Sequence, residues 1–384
     1  MLLARGIVGV DGDSVYISAG DLLRRAVTMG LHMEPAHAPT MVTEMRRRMW
    51  NTVLEICVQS SLTSGGPPLL SLNDFDAQAP RNLDDDQLGV VDPVSKPANE
   101  FTQVSFSLAL CNTFPTRLAI VQLLNGLHMS CTYEEILRLD AELRTAYRTI
   151  SYAFQPHRIS NGPGSSQFGL QMIDFLMQAY LSALHVPFSN PPLNQSTFAF
   201  SRRVFVETAL KIWYILRPSA NGLSSYSRGQ AMPSATVSAL SRFGACGPGI
   251  FRVAGMQAAL LVALELRTQI QEDERLESIP IRPDLLAVLR DAREWSLNRI
   301  KIGEPNVKGY IMFSMIWAQI EGLMQNLGKD EISQSLVKAA IEAESITIPI
   351  LETMAERQAE HPTETLLAPY TAPVEADWDI TVSV

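Results

Sequence analysis

The 384-residue chain holds only four cysteines, Cys57, Cys111, Cys131 and Cys246, and no two are close in sequence. Zinc modules present two thiolates from one short Cys-x-x-Cys step, and disulfide scaffolds need a denser set. Both are excluded, so buried, reduced thiols are expected. Charge is sparse at 18% of residues, and its balance is negative, with a formal net charge of −9. Phosphate contacts dominate nucleic-acid affinity and call for the opposite sign, so the general surface is not expected to grip DNA. Long apolar runs are missing as well. The longest, Val253 to Leu264, contains Gln257 and falls short of the roughly 20 residues that span a bilayer. The opening Met1-Leu2-Leu3-Ala4-Arg5 lacks the sustained apolar core of a signal peptide. The expectation is a protein neither embedded in a membrane nor secreted.

Catalytic signatures are equally scarce. No Gly-x-Ser-x-Gly elbow occurs, and no Ser, His and Asp are tied together by motif. Gly244 to Gly249 is glycine-rich but lacks the Gly-Lys-Ser/Thr ending of a phosphate loop, and no strand precedes it. It reads as a loop feeding a buried helix. Asp74, Asp76 and Asp84-Asp85-Asp86 lack the glycine turn and terminal glutamate of a calcium loop, which leaves a solvated, helix-capping loop. His32 and His185 have no nearby cysteine and no histidine four residues on, so both read as satisfied packing residues. No catalytic, cofactor-binding or metal residue is assigned.

What remains is helical. Apolar residues make up 46% of the chain, no useful stretch alternates as a strand, and no repeat has a fixed period. The fold class is all-α: a single large multi-helix domain over residues 1–360, with central buried helices and long loops, then a flexible tail at 361–384. Ser18-Ala19-Gly20-Asp21 has capping-box spacing and places a helix start at Ser18, after an extended Val15-Tyr16-Ile17. Leu22, Leu23, Ala26 and Val27 form its stripe, and Gly30 ends it. A second helix runs from Met41 to Leu62 with Met45, Met49, Val53, Ile56 and Cys57 as its apolar face, stopped by Gly65-Gly66-Pro67-Pro68. Thr132 opens another capping box, Phe168 to Leu184 and Ile250 to Ile270 read as central buried helices, and Arg158 to Ser166 reads as a hinge. Met172, Met177, Met312, Met315 and Met324 fit core filling, with a pliable effector pocket as the second reading.

Arg46-Arg47-Arg48 sweeps about 200° around a helix, so at least one arginine must face inward or sideways and bond the following loop. The expected arrangement is a solvated face pairing with Glu44 or with acids of the Asp74–Asp86 loop, with a nuclear import signal as the rival reading.

The stretch from Ala26 to Asp85 resembles the middle regulatory region of fungal zinc binuclear-cluster transcription factors. That family carries Ala-x-x-x-Gly-Leu-His, an acidic-Pro pair, Glu-x-Arg-Arg-Arg-x-Trp, Ser-x-x-x-Gly-Arg-Pro-Pro and an Asp-x-Asp loop. The positions here are Ala26, Gly30, Leu31, His32, Glu34, Pro35, Glu44, Arg46, Arg47, Arg48, Trp50, Ser61, Gly65, Pro67, Pro68, Asp74 and Asp76. Met33 and Gly66 replace basic residues, and Asn51 stands where a second aromatic is common. Leu184-His185-Val186-Pro187-Phe188 and Gly303 to Tyr310 resemble later elements, the second one typical of relatives tied to secondary metabolism.

The resemblance implies a nuclear transcription regulator whose partners are proteins, homo- or heterodimers with family members, and a small-molecule effector. It also implies DNA contact only indirectly, because the family's zinc cluster, and with it any cofactor, has no counterpart in these 384 residues. Two alternatives accompany it: a helical-scaffold enzyme or small-molecule-binding protein of a metabolite pathway, and an inhibitor that pairs with a longer relative.

Overall fold

A computed structural model describes residues 11–90, 92–126, 132–159, 165–188, 198–217, 239–247, 249–273 and 282–360. Among them eleven α-helices form and no strand does, as an all-α chain requires. They are α1 (Asp11–Thr28), α2 (Thr40–Ser64), α3 (Ser105–Asn125), α4 (Tyr133–Ile159), α5 (Ser165–His185) and α6 (Ala199–Leu216). The set continues with α7 (Ala239–Cys246), α8 (Ile250–Asp273), α9 (Pro283–Ile302), α10 (Lys308–Met324) and α11 (Lys329–Glu360). The centre of the expected hinge, 160–164, lies outside the described residues, as do Cys131 and the segment 361–384.

Ser18 is not a cap. α1 already runs from Asp11, and Ser18 lies inside it. The tyrosine two residues earlier explains the difference, because the Tyr16 hydroxyl donates to the Pro67 carbonyl at 2.8 Å. Tertiary contact of this kind outweighs a local stop signal, since helices draw most of their stability from packing. The far end of α1 behaves as expected. Gly30 takes φ +68°, its N–H donates to Val27 O at 2.9 Å, and the Leu31 N–H donates to Ala26 O at 3.0 Å. That is a Schellman closure, which an L side chain at the left-handed position would strain.

α2 also ends on a left-handed glycine, Gly65, whose N–H donates to Ser61 O at 3.0 Å, but its buried face is not the expected one. Trp50, Val53, Leu54, Cys57, Val58 and Leu62 face the core, whereas Met45, Met49 and Ile56 are exposed. The two stripes share Val53 and Cys57 and differ by part of a turn; Trp50 decides between them, packing edge-on against Phe75 at 5.6 Å and beside His32. Gly66 is also explained, because a Cβ there would sit 2.8 Å from the Tyr16 ring.

α5 and α8 are the central helices. Phe175, Leu176, Met177, Tyr180 and Leu184 of α5 and Ala258, Ala259, Val262 and Leu266 of α8 have no exposed surface. Burying each large side chain contributes about 1.5–3 kcal/mol. One core cluster runs from Ala26 in α1 to Ile320 in α10. Met172 and Met312 pack against it as expected, but Met324 is exposed at the end of α10. Charge enters the interior as pairs at helix seams. Arg117 of α3, fully buried, donates to both Glu55 oxygens, one of them at 2.8 Å, and joins α3 to α2. Arg202 of α6 bonds Glu265 of α8 at 2.8 and 3.0 Å.

Candidate functional site

The family-like stretch closes around Glu44, which is fully buried in the first half of α2. Its Oε1 accepts from Arg47 Nη1 at 2.9 Å and from Arg81 Nε at 2.8 Å, and its Oε2 accepts the Arg81 backbone N–H at 2.9 Å. Arg47 also holds Glu34, whose carboxylate accepts the Gln78 N–H at 3.0 Å. Burial pushes the Glu34 carboxyl up, but the hydrogen bonds from Arg47 and Gln78 win and hold it below the usual range. Arg46 donates to the Gly30 carbonyl, and Arg48 binds Asp85 and the Leu83 carbonyl. All three arginines are therefore engaged, and the Glu44 and Asp85 pairings were expected. The face is half-buried rather than solvated.

The loop that follows is fastened by Asn82. Its Nδ2 lies within donating distance of the Lys96, Pro97 and Glu100 carbonyls, and its Oδ1 accepts the Thr102 hydroxyl at 2.7 Å. Asp76 accepts the Glu34 N–H at 2.8 Å, and the Asp84 N–H donates to Gln87 at the head of a 3-10 turn over Asp85–Gly89. The acidic residues thus cap and clamp. Among the described residues no group of three or more His, Cys, Asp or Glu is placed to hold a metal ion. Asn51 serves as a polar bridge where an aromatic is common, its Oδ1 accepting the Cys111 thiol at 2.7 Å.

The glycine-rich stretch is helical as far as Cys246, where α7 ends, rather than a loop from Gly244 as expected, and it offers carbonyls to its neighbours. Gly244 O accepts from Trp295 Nε1 at 2.8 Å and from Arg299 Nη1 at 3.1 Å, and Gly247 O accepts from Arg299 Nη2 at 3.1 Å. Converging carbonyls suit a cation, and Arg299 supplies it. Glu304, within the later family-like element, receives both Arg299 and Arg252, the latter at 2.7 Å. That element is a clamp on the entry to α8.

No motif joins the members of the third cluster. His185, fully buried at the end of α5, lies 2.8 Å from Ser201 Oγ through Nδ1 and 3.1 Å from Asp140 Oδ1 through Nε2. Ser201 in turn lies 3.3 Å from the Tyr133 hydroxyl, and Arg144 donates to both Asp140 oxygens at 2.9 and 2.8 Å. Burial raises the Asp140 carboxyl, but the hydrogen bonds from His185 and Arg144 outweigh it and leave it below the usual range. A serine, histidine and acid in line invite a nucleophilic reading. Ser201 has no exposed surface, however, and both of its neighbours are spent on packing polar groups that would otherwise be orphaned. The trio ties α4, α5 and α6 together. One sequence signal pointed to it: Asp140 is an acid on the Ile136, Leu139, Leu143 face of α4.

His185 is therefore a satisfied packing residue as expected, while His32 keeps a buried Nδ1 with no hydrogen-bond partner among the described residues. Cys57 is buried and its thiol is pushed up to about 11 by burial, and Cys111 is pushed up to about 12 by burial and the Glu55 charge. Cys246 is exposed, against expectation, because it ends the short α7 next to the glycine loop. No single helix among the described residues is long and apolar enough to cross a membrane; by length and composition, only the pair of α7 and α8, bent by 81°, meets both conditions together.

Comparison with known proteins gives consistent partners. The chain is 31% identical over 365 residues to the transcription factor lepE of Aspergillus flavus, covering 89% of this chain and 41% of lepE. It is 28% identical over 381 residues to the transcription factor asR3 of Sarocladium schorii, covering 93% and 44%. The aspyridones cluster regulator apdR of Emericella nidulans is 29% identical over 328 residues, covering 80% and 42%. The chain spans less than half the length of these curated relatives. No family model and no solved structure matches it.

Proposed function

We propose that the chain, which is similar to fungal pathway transcription factors over most of its length, acts as the regulatory domain of a zinc-cluster regulator and regulates transcription of a fungal secondary-metabolite pathway. The observation that carries this is similarity over 80–93% of the chain to three such regulators, one of them named for a metabolite cluster. On this reading residues 1–360 act as one regulatory body in the nucleus. On the same reading they reach DNA through dimers with family members or other proteins. An effector or partner that favours one packing of the central helices shifts the population toward it and so sets the output.

The enzyme reading rests on the Ser201–His185–Asp140 alignment, and the burial of all three residues weighs against it. A gel-shift assay on the pathway's promoters tests the regulatory reading, using the full chain with and without lepE. The expected result is no sequence-specific shift by the chain alone and an altered lepE shift when both are present. Tight sequence-specific binding by the chain alone would overturn the indirect route to DNA.

A further inference from the structure

The central helix α5 carries two hydrogen-bonding groups that find nothing to bond. Gln178 and Ser182 are 5% and 2% exposed, yet Gln178 Oε1 and Ser182 Oγ have no hydrogen-bond partner among the described residues. Each of these atoms exposes less than 1 Å², which leaves no room for a water molecule against it. The two residues stand one turn apart, and with His185 they form a single stripe at i, i+4 and i+7. Only the His185 end of the stripe is satisfied, by Asp140 and Ser201.

The facing helix explains the shortfall. α5 and α6 run antiparallel: His185 at the end of α5 meets Ser201 near the start of α6, while Phe168 near the start of α5 and Leu216 at the end of α6 both lie against α7. Counted back from the His185–Ser201 pair, Ser182 is level with Val204 and Gln178 with Thr208. Val204 has no polar side-chain atom. Thr208 turns its hydroxyl to its own helix, 2.9 Å from the Val204 carbonyl and 3.1 Å from that of Phe205. A helix selected for stability alone would carry apolar residues at both positions, because a buried group left without its hydrogen bond costs more than an apolar replacement. Such a cost persists where a second arrangement uses the groups.

We propose that Gln178 and Ser182 mark the joint at which the helical body changes state: in the second state the α5–α6 seam parts, and both groups gain hydrogen bonds from the water that enters. The inference rests on the regulatory reading and places its change of packing at one seam. The test uses the full chain and the Gln178→Leu/Ser182→Ala double variant. With the unmet groups gone, the unfolding midpoint should rise by about 2 °C. Amides of α5 and α6 should exchange with deuterium about fivefold more slowly, while those of α10 and α11 keep their rates. Ser201→Ala, which removes a bonded hydroxyl from the same seam, should move both readouts the other way. A lower midpoint in the double variant would show that the two groups are bonded in the folded protein and would overturn the proposal. A higher midpoint with exchange unchanged, or slowed equally in every helix, would make them a packing defect without a joint and overturn it as well. Neither readout depends on transcription, so failure here is separate from failure of the regulatory reading.

Discussion

Glu44 and His185 are both fully buried polar residues, yet they hold the chain in opposite ways. Around Glu44 the bonds are charge-assisted, the partners are arginines with half-buried side chains, and Glu34, Arg47 and Arg81 all fall within 40 residues of it. Around His185 the partners come from two other helices, at positions 140 and 201, and only Arg144 reaches toward solvent. The first cluster fastens an edge, where α1, α2 and the acidic loop meet. The second fixes the register of α4, α5 and α6. Breaking a buried ion pair strands a charge, whereas breaking a neutral hydrogen bond strands a dipole, and the costs differ accordingly.

That difference can be broken most sharply at Glu44. Glu44→Ala leaves Arg47 with Glu34 alone and Arg81 with no carboxylate, and it should cost about 3–5 kcal/mol, read as a lowered urea midpoint. A loss under about 1 kcal/mol would mean that the cluster is solvated after all. Ser201→Ala leaves His185 Nδ1 without its partner and should cost about 1–3 kcal/mol. The same variant should leave any hydrolysis of p-nitrophenyl acetate unchanged, because a serine with no exposed surface meets no substrate. Loss of a measurable rate would revive the enzyme reading.

Acid sharpens the comparison further. Asp140 is held below its unfolded value, which is near 3.9. The stability it contributes is therefore fully present above that value and is lost as pH falls through the folded one. The wild-type midpoint should drop as pH falls below about 4, while Asp140→Asn starts lower and falls less there; parallel profiles would contradict the shift. The smallest effect belongs to the turn. Gly30→Ala strains a φ of +68° and brings a Cβ within 3.3 Å of Met33, for a cost of about 1–2 kcal/mol by thermal unfolding.

What could be read beforehand follows the same division. Gly30, Gly65, Thr132 and Pro283 marked helix ends because their chemistry acts within a turn. Thr132 Oγ1 accepts the Glu135 N–H, and Pro283 stands in the first turn of α9. The arginine run announced its loop contacts, since three consecutive long cations cannot all face water. The α2 face was misread because Met45, Met49 and Ile56 keep helical spacing with Val53, and only Trp50 reveals which side is buried. Ser18 failed for a related reason, as Tyr16 reaches Pro67 fifty-one residues away. The Ser201–His185–Asp140 line shares no motif, and only Asp140, an acid on the apolar face of α4, hinted at it. Long-range pairing is decided by packing, and packing is not periodic.

The proposal stands or falls on whether this helical body can set transcriptional output. The most direct measurement joins the full chain to an unrelated DNA-binding domain and records a reporter in a fungal host. A several-fold change in output over the DNA-binding domain alone, lost in Glu44→Ala and kept in Ser201→Ala at permissive temperature, is the predicted result. An output indistinguishable from the DNA-binding domain alone, with the fused chain shown to be folded, would contradict it.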